Sequence, residues 1–197
     1  ALIAGKSGQQ LLLYIWLGAK HMVTGYDHLL FLIGVMFYLR DLRTIAVIAS
    51  LFAIGHSITL TGGVLLGLNV NPYLIDAIIG LSVAYKGFDN LGGFTATLGE
   101  SPNEKTAVFI FGLFHGLGLA TKLEDLGLQE DGLLANLLSF NIGVELGQLT
   151  ALFVIVLILR YLPNRVQGSQ IGNVVNVFLM IAGFALMAFQ LTQYLQT

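Results

Sequence analysis

"LLLYIWLGAKHMVTGYDHLLFLIGVMFYL", residues 11–39, is a mostly apolar stretch interrupted by Lys20, His21, Gly25, Asp27 and His28. A bilayer core about 30 Å thick is crossed by roughly 20 residues of helix, so the stretch is too long for one upright span. Two readings fit it. In one, a helix over about 9–23 lies in the interface or partly inserts, the chain breaks at Gly25, and a span runs from Asp27 to Leu39. In the other, a single tilted, kinked helix covers the whole. The first is preferred, because Lys20 and Asp27 would otherwise sit deep in hydrocarbon, where charge is costly.

Five clearer spans follow, at about 43–67, 71–90, 104–123, 132–161 and 171–195. The expected fold is therefore all-α: a polytopic transmembrane helical bundle of about six spans, with an N-terminal interfacial helix or seventh span left open. Composition agrees. Of 197 residues, 56% are hydrophobic and 10% charged, against about 25% charged in a soluble domain. Mean hydropathy is +0.82. A net charge of −2 argues against nucleic acid as a partner. With no cysteine, disulfides, thiolate ligands and cysteine nucleophiles are excluded.

The connections are short, and their Lys and Arg residues suggest an orientation. Arg40, Arg43, Lys86, Lys105, Arg160 and Arg165 cluster around 40–43, 86–105 and 160–165, whereas 67–72 and 122–132 hold only Lys122. Positive residues favour the cytoplasmic side, which puts both termini outside. A start at Ala1 fits a cleaved signal peptide. "FAIGHSITLTGG" (52–63) and "FGLFHGLGLATK" (111–122) share a Phe-x-x-x-His beginning. The chain then reads as one transmembrane domain, residues 1–197, with a 3+3 inverted repeat over about 9–91 and 104–195 as an expectation.

Ionisable groups inside spans usually face a cavity and mark function. Here they are His21, Asp27, His28, His56, Asp76, His115 and Glu145, with Ser57, Thr59, Asn141 and Gln148 as polar neighbours. Asn141, Glu145 and Gln148 are spaced i, i+4, i+7 and share one helix face, which calls for a polar neighbour or water. Four imidazoles and several carboxylates without cysteine suit a divalent transition metal: Ni, Zn, Co, Cu or Fe. On one unbroken helix His21 and His28 would lie about 10 Å apart, so a shared ion requires the break at Gly25. The plainer readings stand beside this one. A membrane histidine often only bonds neighbouring helices, Asp76 follows Pro72 closely enough to serve its helix dipole, and the acidic loop Glu124, Asp125, Glu130, Asp131 reads as a solvated turn. Tyr85 and Asn90 fit either a cavity wall or an interface anchor.

"GAKHMVTGYDHLLFL" (18–32), "GHSITL" (55–60), "FGLFHGLGLA" (111–120) and "FNIGVELGQ" (140–148) together resemble the HupE/UreJ family of hydrogenase and urease accessory membrane proteins. The resemblance implies a small helical-bundle permease in a bacterial inner membrane that admits Ni²⁺ or a related ion for metalloenzyme assembly, with maturation proteins as partners. It also implies His21, His28, His56 and His115 as the motif histidines, and Asp27 and Glu145 as acidic partners. Asp76 matches an acidic position after the proline of the third span. Some members carry a histidine-rich external segment; "ALIAGKSGQQ" has none.

The leading expectation is thus a divalent-metal permease, Ni²⁺ being the favoured substrate. No GxxxxGK[ST] is present, so an ATPase engine within the chain is not expected. An intramembrane zinc-dependent hydrolase, with three histidines and a carboxylate around an open metal position, is the alternative. A non-catalytic accessory subunit whose polar residues lock helices is the third. Whether one chain suffices is left open.

Overall fold

The computed structural model describes residues 10–39, 41–124, 132–161 and 170–196. Every regular element among them is a helix: α1 (Leu11–Thr24), α2 (Tyr26–Met36), α3 (Leu42–Leu66), α4 (Pro72–Asn90), α5 (Gly93–Leu98), α6 (Glu104–Glu124), α7 (Leu133–Tyr161) and α8 (Gln170–Tyr194). Arg40, Arg165 and the acidic residues Asp125, Glu130 and Asp131 lie outside the described residues.

Local chemistry sets the helix boundaries. Asp41 caps α3 by accepting from the Thr44 amide at 2.8 Å, and Gly67, with φ of 59°, ends it. Asn71 caps α4 by accepting from the amides of Tyr73 and Leu74, while Pro72 takes the first helical position where its missing N–H costs nothing. The break read in the first stretch is real. Gly25 has φ −72° and ψ 100°, so α1 stops and α2 starts afresh one residue later.

Among the described residues, four helices are long and apolar enough to cross a membrane: Leu42–Leu66, Glu104–Leu123, Leu133–Leu159 and Gln170–Tyr194. α4 is not among them. It has the length, at 19 residues, but carries Asp76, Lys86 and Asp89. Those charges find partners inside the protein, so α4 need not be uniformly apolar. Lys86, which sequence assigned to a basic connection, is a buried residue of α4. The polar stretch after α4 contains the short helix α5. Long apolar helices without strands among the described residues make this an all-α bundle and an integral membrane protein.

Three helix pairs form its frame: α1 with α7, α3 with α6, and α4 with α8. Glycines set all three. A Cβ at Gly143 would strike the Ile15 carbonyl, and one at Gly147 the Ala19 carbonyl four residues further along both helices, so α1 and α7 run parallel in close contact. Gly55 sits against Phe109 and Gly63 against Ala120, so α3 and α6 are also parallel. Gly80 meets Met187 while Gly87 meets Asn176, so α4 and α8 are antiparallel. α1 thus lies along the first half of α7, from Gln10, bonded to Asn136, to Met22 beside Gly147. It is packed into the bundle rather than laid across its end.

α2 fills the middle. His28, Phe31, Leu32, Gly34, Val35 and Met36 are buried, and its far end is tied to α4 where Asn90 donates to the Gly34 carbonyl at 2.8 Å. The bundle's two ends are named here for the first two helices: α1 begins at one, the α1 end, and α2 finishes at the other, the α2 end.

Candidate metal centre

The break at Gly25 redirects the chain at the start of α2 so that His28 approaches His21, their ring centroids 4.9 Å apart. His28 also lies 4.9 Å from His115 on α6 and 6.2 Å from His56 on α3. All four histidines of the chain therefore meet at one place, brought there by four helices. One ring nitrogen each of His21, His28 and His56 can be chosen so that all three lie within 4.8 Å of one another. Nitrogens about 2.1 Å from one tetrahedral ion stand about 3.4 Å from one another, so the rings must turn inward before the three imidazoles can share an ion.

Hydrogen bonds leave the ligating nitrogens free. Asp27 Oδ1 accepts from the His28 backbone amide and from His28 Nδ1, both at 3.0 Å. A carboxylate only accepts, so Nδ1 carries the proton and Nε2 keeps its lone pair. This carboxylate–histidine pairing is the support usual for metal-ligating imidazoles. His115 donates from Nδ1 to the Phe111 carbonyl at 2.7 Å, which leaves its Nε2 free in the same way. Among the described residues, His21 Nε2, His28 Nε2, both nitrogens of His56 and His115 Nε2 are buried without a hydrogen-bond partner. Each orphaned group costs about 1–3 kcal/mol. Concentrating five at one point is unfavourable for a purely structural core and fits a cation's donor set.

Among the described residues, the wider approach to the cluster is from one end. A cavity of about 260 Å³, lined by His21, Tyr26, Asp27, Asp76, Lys122 and Gln190 among others, reaches the cluster from the α1 end. At its wall Lys122 Nζ donates to both oxygens of Asp76 at 2.8 Å. Toward the α2 end the cluster meets aromatic rings. Phe52 and Phe31 stand 5.0 and 5.6 Å from His115, and Phe111 stands 5.8 Å from Phe31. Beyond them Lys86, buried, bonds Asp89 at 2.9 Å and Glu104 at 2.7 Å.

The other residues singled out from sequence divide by role. Asp76 joins the cavity, but paired with Lys122. Thr59 donates to the Leu113 carbonyl at 2.6 Å and so ties α3 to α6. Asn141 donates to Thr61 Oγ1, and Gln148 to the Ala49 carbonyl, tying α7 to α3. Ser57 follows His56 on α3, half-buried. Glu145 is not brought to the imidazoles. It is exposed in a lateral cleft of about 560 Å³ between α3 and α7, which is larger than the polar cavity but apolar except for Ser50, Glu145 and Gln148. Tyr85 packs on Phe94 and Phe111, and Asn90 bonds Gly34 and Asn176, both away from the cluster.

Sequence reasoning missed Lys122 and the Lys86–Asp89–Glu104 group. Lys122 was legible only as a loop charge, and the three-residue spacing of Lys86 and Asp89 was the one local hint of pairing.

No curated protein and no solved structure matches the chain. The assignment rests instead on a match to the family described as HupE / UreJ protein, which runs through the same histidine-bearing helices and covers residues 1–197; the protein belongs to that family.

Proposed function

We propose that the protein is a permease for a divalent transition-metal ion, with Ni²⁺ the preferred substrate and Co²⁺, Zn²⁺, Cu²⁺ or Fe²⁺ as chemically allowed relatives. One observation carries the reading: imidazoles with free buried nitrogens, contributed by separate helices, cluster around His21, which itself lines a polar cavity. A neutral imidazole set suits such ions, and few charges at the cluster favour release as well as capture. With the Lys and Arg residues of the basic connections, other than Lys86, read as cytoplasmic, the cavity opens outside the inner membrane, and the ion is destined for metalloenzyme maturation proteins within.

A hydrolase is less well supported by the same geometry. Asp27 is engaged by His28, and Glu145 lies in another cleft. Among the described residues this leaves no free carboxylate at the cluster to activate water.

The test is Co²⁺ titration of the purified protein, read by its visible spectrum, beside ion uptake into proteoliposomes. Wild-type protein is expected to bind one Co²⁺ with a nitrogen-ligand spectrum and to transport. His28→Ala and His56→Ala are expected to abolish both while remaining folded. Folded variants with undiminished binding would overturn the reading.

A further inference from the structure

The three helix pairs reproduce themselves when α1 is exchanged with α6, α3 with α7, and α4 with α8. Under that exchange the pair α1–α7 becomes α6–α3, and α4–α8 becomes itself. The contacts follow. Gly18 lies against the Phe140 carbonyl, and Gly112 against the Phe52 carbonyl. Gly143 lies against the Ile15 carbonyl, and Gly55 against the Phe109 carbonyl. Gly183 meets the Ala84 amide, and Gly80 the Met187 amide.

The sequence carries the same register. A constant shift of 94 positions takes Ile15, Gly18 and His21 to Phe109, Gly112 and His115, matching "GAKH" (18–21) with "GLFH" (112–115). A shift of 88 positions matches "FAIG" (52–55) with "FNIG" (140–143). Each exchanged helix runs opposite to its counterpart: α1 starts beside Asn136 at the α1 end, whereas α6 starts at the α2 end, where Glu104 meets Lys86. Two short motifs, three reciprocal glycine contacts and the pairing pattern agree on one operation. Chance agreement in any one of them would not produce the others.

We propose that the chain is a 3+3 inverted repeat, over about 9–91 and 104–195, whose pseudo-twofold axis exchanges His21 with His115, and that a divalent cation received by His21 at the α1 end is handed to His115 as that end closes and the α2 end opens. The second clause rests on the permease reading; the first does not. His21 faces the open cavity, and His115 is its buried counterpart behind Phe31 and Phe52. His28 lies equally far from both rings, at 4.9 Å, and is the shared ligand across which the ion moves. Inverted repeats that place a site at their interface support alternating access by rocking one half against the other. In the second state the Lys86 bonds to Asp89 and Glu104 must part, because Phe31, Lys86, Glu104, Ala107 and Phe111 line the narrow gap that continues the route.

The absence of native cysteine gives a direct test. Single cysteines are placed at Gln190 (or Leu186), in the open cavity, and at Ala107 (or Tyr85), in the closed gap, and labelled in nanodiscs without metal. Lys86→Met or the milder Glu104→Gln is then added. The expected result is reciprocal: labelling at 107 rises by about tenfold while labelling at 190 falls, as a two-state equilibrium requires. A rise at 107 with no fall at 190 would be local loosening and would overturn the repeat as a moving device. No change with either latch variant would do so too.

The hand-over is tested separately, in protein that binds Co²⁺. His21→Ala should lose Co²⁺ binding. His115→Ala should keep the Co²⁺ spectrum yet lose uptake by tenfold or more. Equal loss of binding in both, or normal uptake by His115→Ala, would overturn it. Failure of wild-type protein to bind Co²⁺ would instead reject the permease reading and leave the reciprocal labelling result standing.

Discussion

Asp27 and His28 are neighbours in sequence, yet the Asp27 carboxylate accepts both the backbone amide and the ring Nδ1 of His28 through one oxygen, at 3.0 Å each. Adjacent helical residues ordinarily point about 100° apart. The first turn of α2 allows the pairing because Asp27 bends back as a helix-start acceptor. Replacing Asp27 by Asn should lower Co²⁺ affinity by about 10–100-fold, the usual cost of losing a carboxylate behind a ligating histidine. Isothermal titration alongside the Co²⁺ spectrum would check it.

Gly25 leaves room for that pair. A Cβ there would lie 2.7 Å from His28 Nδ1 and 3.0 Å from Asp27 Oδ1. Gly25→Ala is expected to assemble as a folded bundle but to bind Co²⁺ at least about tenfold more weakly, by the same support argument. An affinity equal to wild type would show that the break tolerates a methyl group and that the pair is not sterically held.

Lys122 is half-exposed and holds Asp76 at the cavity wall. Lys122→Gln should leave an uncompensated carboxylate that attracts hard cations, oxygen ligands being their preference. Millimolar Mg²⁺ should then inhibit Ni²⁺ uptake in the variant and not in wild type. Asp76→Asn should abolish that inhibition in the double variant.

Glu145 gives the opposite expectation. It shares a helix face with Asn141 and Gln148, but only those two are bonded to α3. Glu145→Gln should leave Co²⁺ stoichiometry unchanged. Gln148→Ala should lower thermal stability, by about 0.6 kcal/mol if it behaves like other interhelical bonds in membranes.

Sequence made the helical bundle legible because long apolar runs have few other solutions. The break at Gly25 was legible too, from a glycine between polar residues inside an apolar run. The insertion of α1 along α7 was not, since it depends on glycines 125 or more residues away. Gathering the histidines followed from counting them; their equivalence did not, because His21 and His115 share only a preceding Gly-x-x. The likeness between 52–63 and 111–122 fell on α3 and α6, which touch side by side. Polar periodicity grouped Asn141, Glu145 and Gln148 correctly on one face but could not say which helix that face meets.

The interrupted helix near the centre also arranges the backbone's own charge. α1 ends at Thr24, and the last carbonyls of a helix carry partial negative charge with no intrahelical donor. α2 begins at Tyr26, where the opposite partial charge gathers, and there Asp27 sits in the first turn with its carboxylate turned onto an amide. The unfavourable pole is thus quenched by a side chain, while the carbonyl end of α1 keeps its partial negative charge although the His21 carbonyl is capped by the Gly25 amide. Peptide dipoles, which no mutation of a ligand would remove, give the interior a standing preference for positive charge.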